Sequence, residues 1–290
     1  METIKHRNST HFSFDSLGEY MNHVLAEQTL TESEELQGYT KSKMEGKKRD
    51  EWAGCSFKQA LQLQSEGWGK RPDLSKLSKA VQSASSAELS EQSTMHSVSG
   101  AYVDVPVFLT GEPECMVEFI DEPQPSAVRL AMNLSTNWKM SDEAFQMRGA
   151  VVLALAEKLE AAGYPVEIIC YTAVKCNSVK GKPKFSMAFP LKQADEVTDI
   201  DALTYWACHP SALRRLQFAA WENAFPPAER AKLGFAMGGG YGGVTTLEES
   251  YLAKKRIAPD VNVDFESGRL EDAVKYFEEE IERLERKLAS

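Results

Sequence analysis

Three polar residues follow a short apolar stretch in the middle of the chain, in the segment RLAMNLSTNW from Arg129 to Trp138. Asn133, Ser135 and Asn137 are spaced two residues apart. Side chains of an extended segment alternate between two sides, so these three can point the same way and form a row of oxygen ligands for a cation. The alternative is that Asn and Ser satisfy backbone groups where a strand ends.

The residues around this row predict the elements that position it. Val128 to Leu134 is an apolar strand, and Ser141 is a good N-cap for the long apolar helix that follows. Gly163 is placed to end that helix, and Tyr164 to Val174 is a nearly continuous β-branched run typical of a buried strand. Strand, helix and strand in this order predict a βαβ unit with parallel strands.

Further alternation over Lys182 to Lys192 predicts a third strand, joined to its neighbour as a hairpin, and a broken helical region follows. We therefore predict an α/β protein with an open, mostly parallel sheet and helices on both faces. Ligand sites in such sheets lie outside the carboxyl ends of the strands. Asn133, Ser135 and Asn137 fall at such an end.

The pattern divides the chain into three parts. Residues 1–98 are predicted to be a helical, partly flexible N-terminal region, with helices over Phe14 to Leu25 and from Phe57 to a stop at Gly67. Residues 99–268 form the α/β domain, which begins with extended, proline-containing chain. Residues 269–290 form a C-terminal amphipathic helix.

That last helix carries apolar residues in steps of four and three, which is the a/d pattern of a coiled coil. The pattern has two uses, packing onto the helix's own domain or pairing with another molecule, and the sequence leaves both open. Its members are Leu270, Val274, Phe277, Ile281, Leu284 and Leu288.

Charge restricts the partners. The chain has 290 residues and a formal net charge of -10, which disfavours a polyanion as partner. Basic stretches remain at residues 41–49 and 70–79, with Trp52 and Trp68 nearby, and basic residues interleaved with aromatics are what single-strand binding uses. No apolar run is long enough for a membrane span and no secretory h-region is present, so we expect a cytoplasmic protein with no membrane contact.

Cysteine and histidine give no strong chemical signal. The five cysteines form no C-x-x-C pair, which favours reduced thiols over disulfides or zinc. Cys208 and His209 are adjacent, but a nucleophilic pair must meet in space with a third, orienting group. No general base or complete ligand set is evident, so we expect the chain not to be an enzyme.

The order strand, NLSTN, long helix and hairpin-like strand resembles a von Willebrand factor A-type domain, whose first strand ends in the metal-binding pattern D-x-S-x-S. The resemblance implies Asn133 and Ser135 as the first two ligands, with Thr245 or Thr246 as the later threonine and Asp264 as a further acid. Because Asn133 stands where that pattern has Asp, a full negative charge is missing. We therefore expect a degenerate metal site at Asn133, Ser135 and Thr245, with no cofactor beyond weakly bound Mg²⁺.

Three separated segments, WAGCSFKQALQLQSEGW, VDVPVFLTGEPECM and RGAVVLALAEKLEAAGYPVE, also resemble an uncharacterised family of proteins encoded by bacteriophages and related mobile elements. This resemblance runs from about Phe14 to Thr172 and brings no known activity with it. It implies a protein that acts in the cytoplasm of an infected host cell.

Two functions follow as hypotheses. The first is a non-enzymatic interaction or scaffold module that binds a protein partner through Asn137, Trp138 and the apolar stripe of the C-terminal helix. The second is an accessory factor that binds single-stranded DNA in phage replication or transcription, through the basic segments.

Overall fold

The computed structural model describes most of the chain. The described residues are 1–26, 46–69, 94–99, 102–119, 126–137, 139–177, 179–196, 200–233, 243–247, 259–264 and 266–288.

The elements are numbered here in chain order. The strands are β1 (Glu2–His6), β2 (Ser9–Ser13), β3 (Thr94–Ser97), β4 (Tyr102–Val103), β5 (Met116–Phe119), β6 (Val128–Asn133), β7 (Val166–Lys175), β8 (Lys184–Lys192), β9 (Gly243–Val244) and β10 (Val261–Val263). The helices are α1 (Leu17–Leu25), α2 (Lys47–Ala53), α3 (Phe57–Glu66), α4 (Val105–Leu109), α5 (Asp142–Ala161), α6 (Ile200–Cys208), a π-helix (Ala212–Gln217), α7 (Phe218–Ala224), α8 (Pro227–Leu233) and α9 (Leu270–Leu288).

The centre of the main sheet is the predicted βαβ unit. β6 and β7 pair in parallel from Val128 opposite Val166 to Asn133 opposite Tyr171, and the Ser141 side chain caps the connecting helix α5. β10 adds a further parallel strand beside β6, and β8 is antiparallel to β7 as the hairpin prediction requires. The predicted α/β class, with a parallel centre flanked by helices, is therefore confirmed.

The first two strands correct the prediction for the N-terminus. Residues 1–98 were expected to be helical, but β1 and β2 form a hairpin, and β2 pairs in parallel with β8. The sheet order is β1-β2-β8-β7-β6-β10, with β9 on β7, so the sheet crosses the boundary placed at residue 98. The two predicted helices are present as α1, capped by Ser16, and α3, which ends at Gly67.

The main core lies on one face of this sheet. Val128, Leu130 and Met132 of β6 point to it, and helices α1, α3, α5, α6, α7 and α9 all contribute buried side chains there. Ala131 points to the opposite face, where a smaller cluster includes Tyr171. The sequence predicts helices on both faces of the sheet. Among the described helices, those that pack against the sheet all lie on the face of the main core.

A buried π-helix connects the α6 region to α7, and its two arginines hold the segment of α2 and α3. Arg215 Nε donates to the carbonyl of Cys55 at 2.9 Å, and its Nη2 pairs with Asp50. Arg214 Nη1 donates to the carbonyl of Trp52 in α2, and its Nη2 donates to the carbonyl of Met140 at 2.7 Å. Because a buried arginine without partners would be costly, these contacts fix the position of the segment against the core.

The end of the π-helix takes part in a buried polar network. The Tyr20 hydroxyl donates to the amide oxygen of Gln217, whose amide nitrogen donates to Thr172 Oγ1. Trp221 Nε1 also donates to Thr172 Oγ1, at 3.1 Å. The network joins α1, the π-helix, α7 and β7 inside the core, and satisfied buried networks of this kind specify one packing arrangement.

The C-terminal helix uses its apolar stripe within the chain. Phe277, Ile281 and Leu284 are buried in the main core, and Leu270, Val274 and Leu288 pack against it at its edge. The helix contacts α5. The structure thus favours packing onto the helix's own domain, and the stripe is not an open surface for self-association.

A second, three-stranded sheet is formed by β3, β5 and β4 in that order, all antiparallel. The sequence predicts extended chain here because apolar residues alternate from Tyr102 to Leu109. That prediction is wrong for residues 105–109, which form the short helix α4. The Asp104 side chain accepts a hydrogen bond from Val107 N, and Pro106 fits the first turn because that position needs no N–H donor.

The cysteines agree with the prediction of reduced thiols, since all five are free. Among the helices that the structure describes, none combines the length and the apolar character needed to cross a membrane.

Candidate functional site

The three residues predicted to be metal ligands do meet in space. β6 ends at Asn133, and β9 pairs with the part of β7 that continues past this end. Ser135 and Thr245 therefore approach the same residue of β7, Ala173. We call Asn133, Ser135, Ala173 and Thr245 the carboxyl-edge cluster.

Hydrogen bonds occupy the side-chain oxygens of Asn133 and Ser135 in this cluster. Ser135 Oγ donates to the Ala173 carbonyl at 3.1 Å and accepts from Ala173 N at 2.8 Å. Asn133 Oδ1 accepts from Ser135 N at 3.0 Å, and Thr245 N donates to the Ala173 carbonyl at 3.0 Å. Ser135 and Asn133 thus act as side chains that complete the pairing beyond the strand end.

A buried arginine lies behind this cluster, and sequence reasoning missed it. Arg148 on α5 donates from Nη1 to the carbonyl of Asn133 at 2.8 Å, and its guanidinium lies 5.1 Å from the centre of the Phe145 ring. Burial lowers the pKa of Arg148 to about 10, so the side chain is charged at neutral pH. A fixed positive charge at this place repels a cation. Because the side-chain oxygens of Asn133 and Ser135 are also occupied and position 133 lacks a carboxylate, the cluster is a poor fit for a Mg²⁺ ion.

Side-chain hydrogen bonds hold the loop that follows the carboxyl-edge cluster. Thr136 Oγ1 donates to Glu266 Oε1 at 3.0 Å, and Asn137 Oδ1 accepts from Lys139 N at 3.1 Å. Asn137 is exposed, and Trp138 lies outside the described residues, so the interaction role of these two residues stays a prediction. Asp264 is exposed and directly follows β10, which places it at the same edge of the sheet.

Cys208 and His209 do not form a catalytic pair. The Cys208 thiol faces the carbonyl of Gln146 at 3.8 Å, and burial raises its pKa to about 12. His209 Nδ1 instead lies 2.7 Å from Ser211 Oγ, which also lies 3.1 Å from the Tyr205 hydroxyl. A thiol with a raised pKa is a poor nucleophile at neutral pH, so this arrangement favours a structural role.

A second thiol, that of Cys55, lies near the same Ser211. Burial raises the pKa of the Cys55 thiol and outweighs the opposite influence of the neighbouring Ser211. The protonated thiol is therefore the favoured form at neutral pH.

Trp52 and Trp68, the aromatic residues proposed to bind single-stranded DNA, pack against other side chains of the protein. The Arg214 guanidinium lies 4.7 Å from the centre of the Trp52 ring, and the Phe218 ring stacks near it at 6.2 Å. Trp68 meets His209 edge-on at 4.9 Å. Of the basic stretches, residues 41–45 and 70–79 lie outside the described residues, while Lys47 and Lys48 are exposed on α2.

Exposed apolar side chains lie on α4 and on the adjoining end of β4, in the segment for which the sequence predicts extended chain. Val103, Val105, Phe108 and Leu109 are 42%, 57%, 58% and 77% exposed. Val105, Phe108 and Leu109 have the i, i+3, i+4 spacing that places side chains on one side of a helix. We call these four residues the exposed apolar surface. The sequence signal that could have identified this surface is Asp104 followed by Pro106, because an N-cap residue with proline in the first turn predicts a helix here.

Acidic groups accompany this surface. Asp104 Oδ2 accepts from His96 Nε2 at 3.0 Å, and this bond, followed by the one from Val107 N, lowers the pKa of Asp104. Glu112 and Glu114 are exposed directly after α4.

The fold and these two sites define a mixed α/β protein with a hydrogen-bonded carboxyl edge and a separate apolar surface. A family model described as a domain of unknown function, DUF7192, matches residues 3–283, and the chain therefore belongs to this family. No curated protein and no solved structure matched the chain.

Proposed function

We propose that this chain is a non-enzymatic protein-interaction module, and the exposed apolar surface is the observation that carries the proposal. Apolar side chains exposed next to one another on a folded protein are typical of sites that bind other proteins. Phe108 and Leu109 are the largest of the four, and a hydrophobic anchor of this size usually dominates binding energy when a partner covers it.

The carboxyl-edge cluster supports the finer part of this proposal, an A-type-like domain with a degenerate metal site. The order β6, α5, β7 and antiparallel β8 agrees with the resemblance. Asn133 and Ser135 lie where that resemblance places metal ligands, and their hydrogen bonds serve the backbone instead. The phage-type resemblance gives the setting, the cytoplasm of an infected cell.

The alternative, binding of single-stranded DNA, has less support. Lys47 and Lys48 are exposed near Trp52, but Arg214 covers one side of that ring. Fluorescence anisotropy of a labelled single strand tests it, because such binding must weaken steeply with added salt. A salt-sensitive complex would favour this alternative.

The experiment for the proposed function is selection of peptides from a display library on the full chain. We expect peptides that lose binding when Phe108→Ser and Leu109→Ser are combined and keep it in Leu25→Ser. Leu25 is a matched control, because it is a large apolar residue that is 48% exposed elsewhere. Failure to select any binding peptide, or equal binding to both variants, would contradict the proposal.

A further inference from the structure

The chemistry around the exposed apolar surface identifies the kind of partner, and this inference rests on the function proposed above. We propose that the surface binds an amphipathic segment of another protein in which Lys or Arg residues flank an apolar stripe. The occupant is thus a basic segment, not a nucleic acid, a lipid surface or a second copy of this chain.

The apolar part of the surface has the shape of a helix side. Val105, Phe108 and Leu109 have the spacing of one side of the five-residue helix α4, and Val103 immediately precedes its N-cap Asp104. Exposed apolar groups on one helix side match the i, i+3, i+4, i+7 anchors of an amphipathic partner helix. Burying them against such anchors removes apolar surface from water.

Acidic groups dominate the charge around the surface. Residues 94–119 contain Asp104, Glu112, Glu114 and Glu118, no Lys or Arg, and one histidine, His96. Asp104 is already paired with His96 at 3.0 Å, so the exposed Glu112 and Glu114 supply the open negative charge. Opposite charges around an apolar centre steer the encounter and select the partner, so the complementary segment is basic.

The same charges disfavour the other occupants. Two copies of this chain meeting through the surface would place Glu112 and Glu114 opposite acidic groups of the same kind, because a two-fold interface pairs one patch with itself. A nucleic acid or an anionic lipid surface carries the same sign as the surface. The formal net charge of -10 adds to this repulsion at longer range.

The test uses two labelled synthetic peptides with leucines at i, i+3, i+4 and i+7, one with lysines and one with glutamates at the remaining positions. Anisotropy titrations with the full chain should show binding of the lysine peptide only. The double variant Phe108→Ser, Leu109→Ser should weaken it about tenfold or more. Glu112→Gln with Glu114→Gln should weaken it several-fold at low salt, with a smaller effect at high salt. Leu25→Ser should bind as the native chain does.

The outcomes separate this inference from the proposed function. Equal binding of both peptides, or binding of neither while display-selected peptides still bind, overturns the basic partner and leaves the interaction module standing. Failure of every peptide overturns both. A concentration-dependent increase in mass by light scattering that Phe108→Ser, Leu109→Ser abolishes would show that a second copy is the occupant, which also overturns the inference.

Discussion

Substitution of Ser135 by alanine distinguishes a structural from a metal-binding carboxyl edge. Ser135 Oγ makes two hydrogen bonds to Ala173, one as donor and one as acceptor. In Ser135→Ala the Ala173 carbonyl still accepts from Thr245 N, but the buried Ala173 N–H loses the side chain that it binds. A buried donor left without a partner costs about 1–3 kcal/mol, so we expect the free energy of unfolding to fall by about 2 kcal/mol.

The assay is urea unfolding of the full chain with Mg²⁺ and with a chelator. Ser65→Ala is the matched control, because the Ser65 hydroxyl is exposed on α3 and donates only to the Gln62 carbonyl. A surface substitution of this kind should change stability by no more than about 0.5 kcal/mol. For each of the three proteins, the urea concentration at the unfolding midpoint should be the same with Mg²⁺ as with the chelator.

Two results would refute this reasoning. If Ser135→Ala is as stable as Ser65→Ala, the hydrogen bonds to Ala173 contribute nothing. If Mg²⁺ stabilises the native chain and Ser135→Ala abolishes that effect, Ser135 is a metal ligand, because an ion that binds only the folded state must raise its stability.

Three further predictions concern two packing contacts and the protonation of one histidine. A Cβ added at Gly149 would lie 2.1 Å from Cys208 Sγ, so Gly149→Ala should destabilise the chain by about 1–3 kcal/mol in urea unfolding. Gly18→Ala on α1 is the control, because its added Cβ would meet Ser16 Oγ at an ordinary 3.8 Å; it should change stability by less than about 1 kcal/mol. A stable Gly149→Ala would contradict the close approach of α5 and α6. Phe277→Ala should cost about 3–5 kcal/mol without changing the mass seen by light scattering, because Phe277 packs within the chain; a lower mass in the variant would show an intermolecular role. Burial lowers the pKa of His23 below 6.5, so the unfolded chain takes up the proton more readily and stability should fall as the pH drops from about 7.5 to about 5.5. His23→Gln should reduce that slope in pH-dependent thermal unfolding, and an unchanged slope would exclude His23 as its source.

The parts of the fold that were predicted have strong local patterns. β6, α5 and β7 each combine a long apolar run with a clear start or stop, such as Ser141 at the N-cap and Gly163 beyond the helix end. The meeting of Asn133, Ser135 and Thr245 was also anticipated. Only the structure shows why they meet, because β9 lies just past the end of β6 and its pairing depends on a distant segment.

The parts that were missed have misleading local patterns. Ile4 is the only buried residue of β1, so that strand shows no alternation of apolar residues. In β2, His11 and Ser13 are buried although they are polar, since His11 Nδ1 lies 2.6 Å from Ser186 Oγ on β8. The segment from Val103 to Leu109 alternates like a strand, yet only Val103 belongs to one, and Val105–Leu109 forms α4 behind the N-cap Asp104. Pairing with distant strands stabilises β1 and β2, and a single N-cap begins α4. The periodicity of apolar residues reveals neither.

The π-helix has a consequence for how this chain can change in length. A π-helix closes its hydrogen bonds from i to i+5, so each bonded turn holds one residue more than the i to i+4 turn of an α-helix. One residue fewer between Ser211 and Phe218 would therefore let this turn close as an α-helix while α7 keeps its place in the core. The buried groups of the turn would still have to find new positions, because Arg215 bonds Cys55 and Gln217 bonds Thr172 from this stretch. A family member one residue shorter here should therefore also differ at the partners of these two side chains.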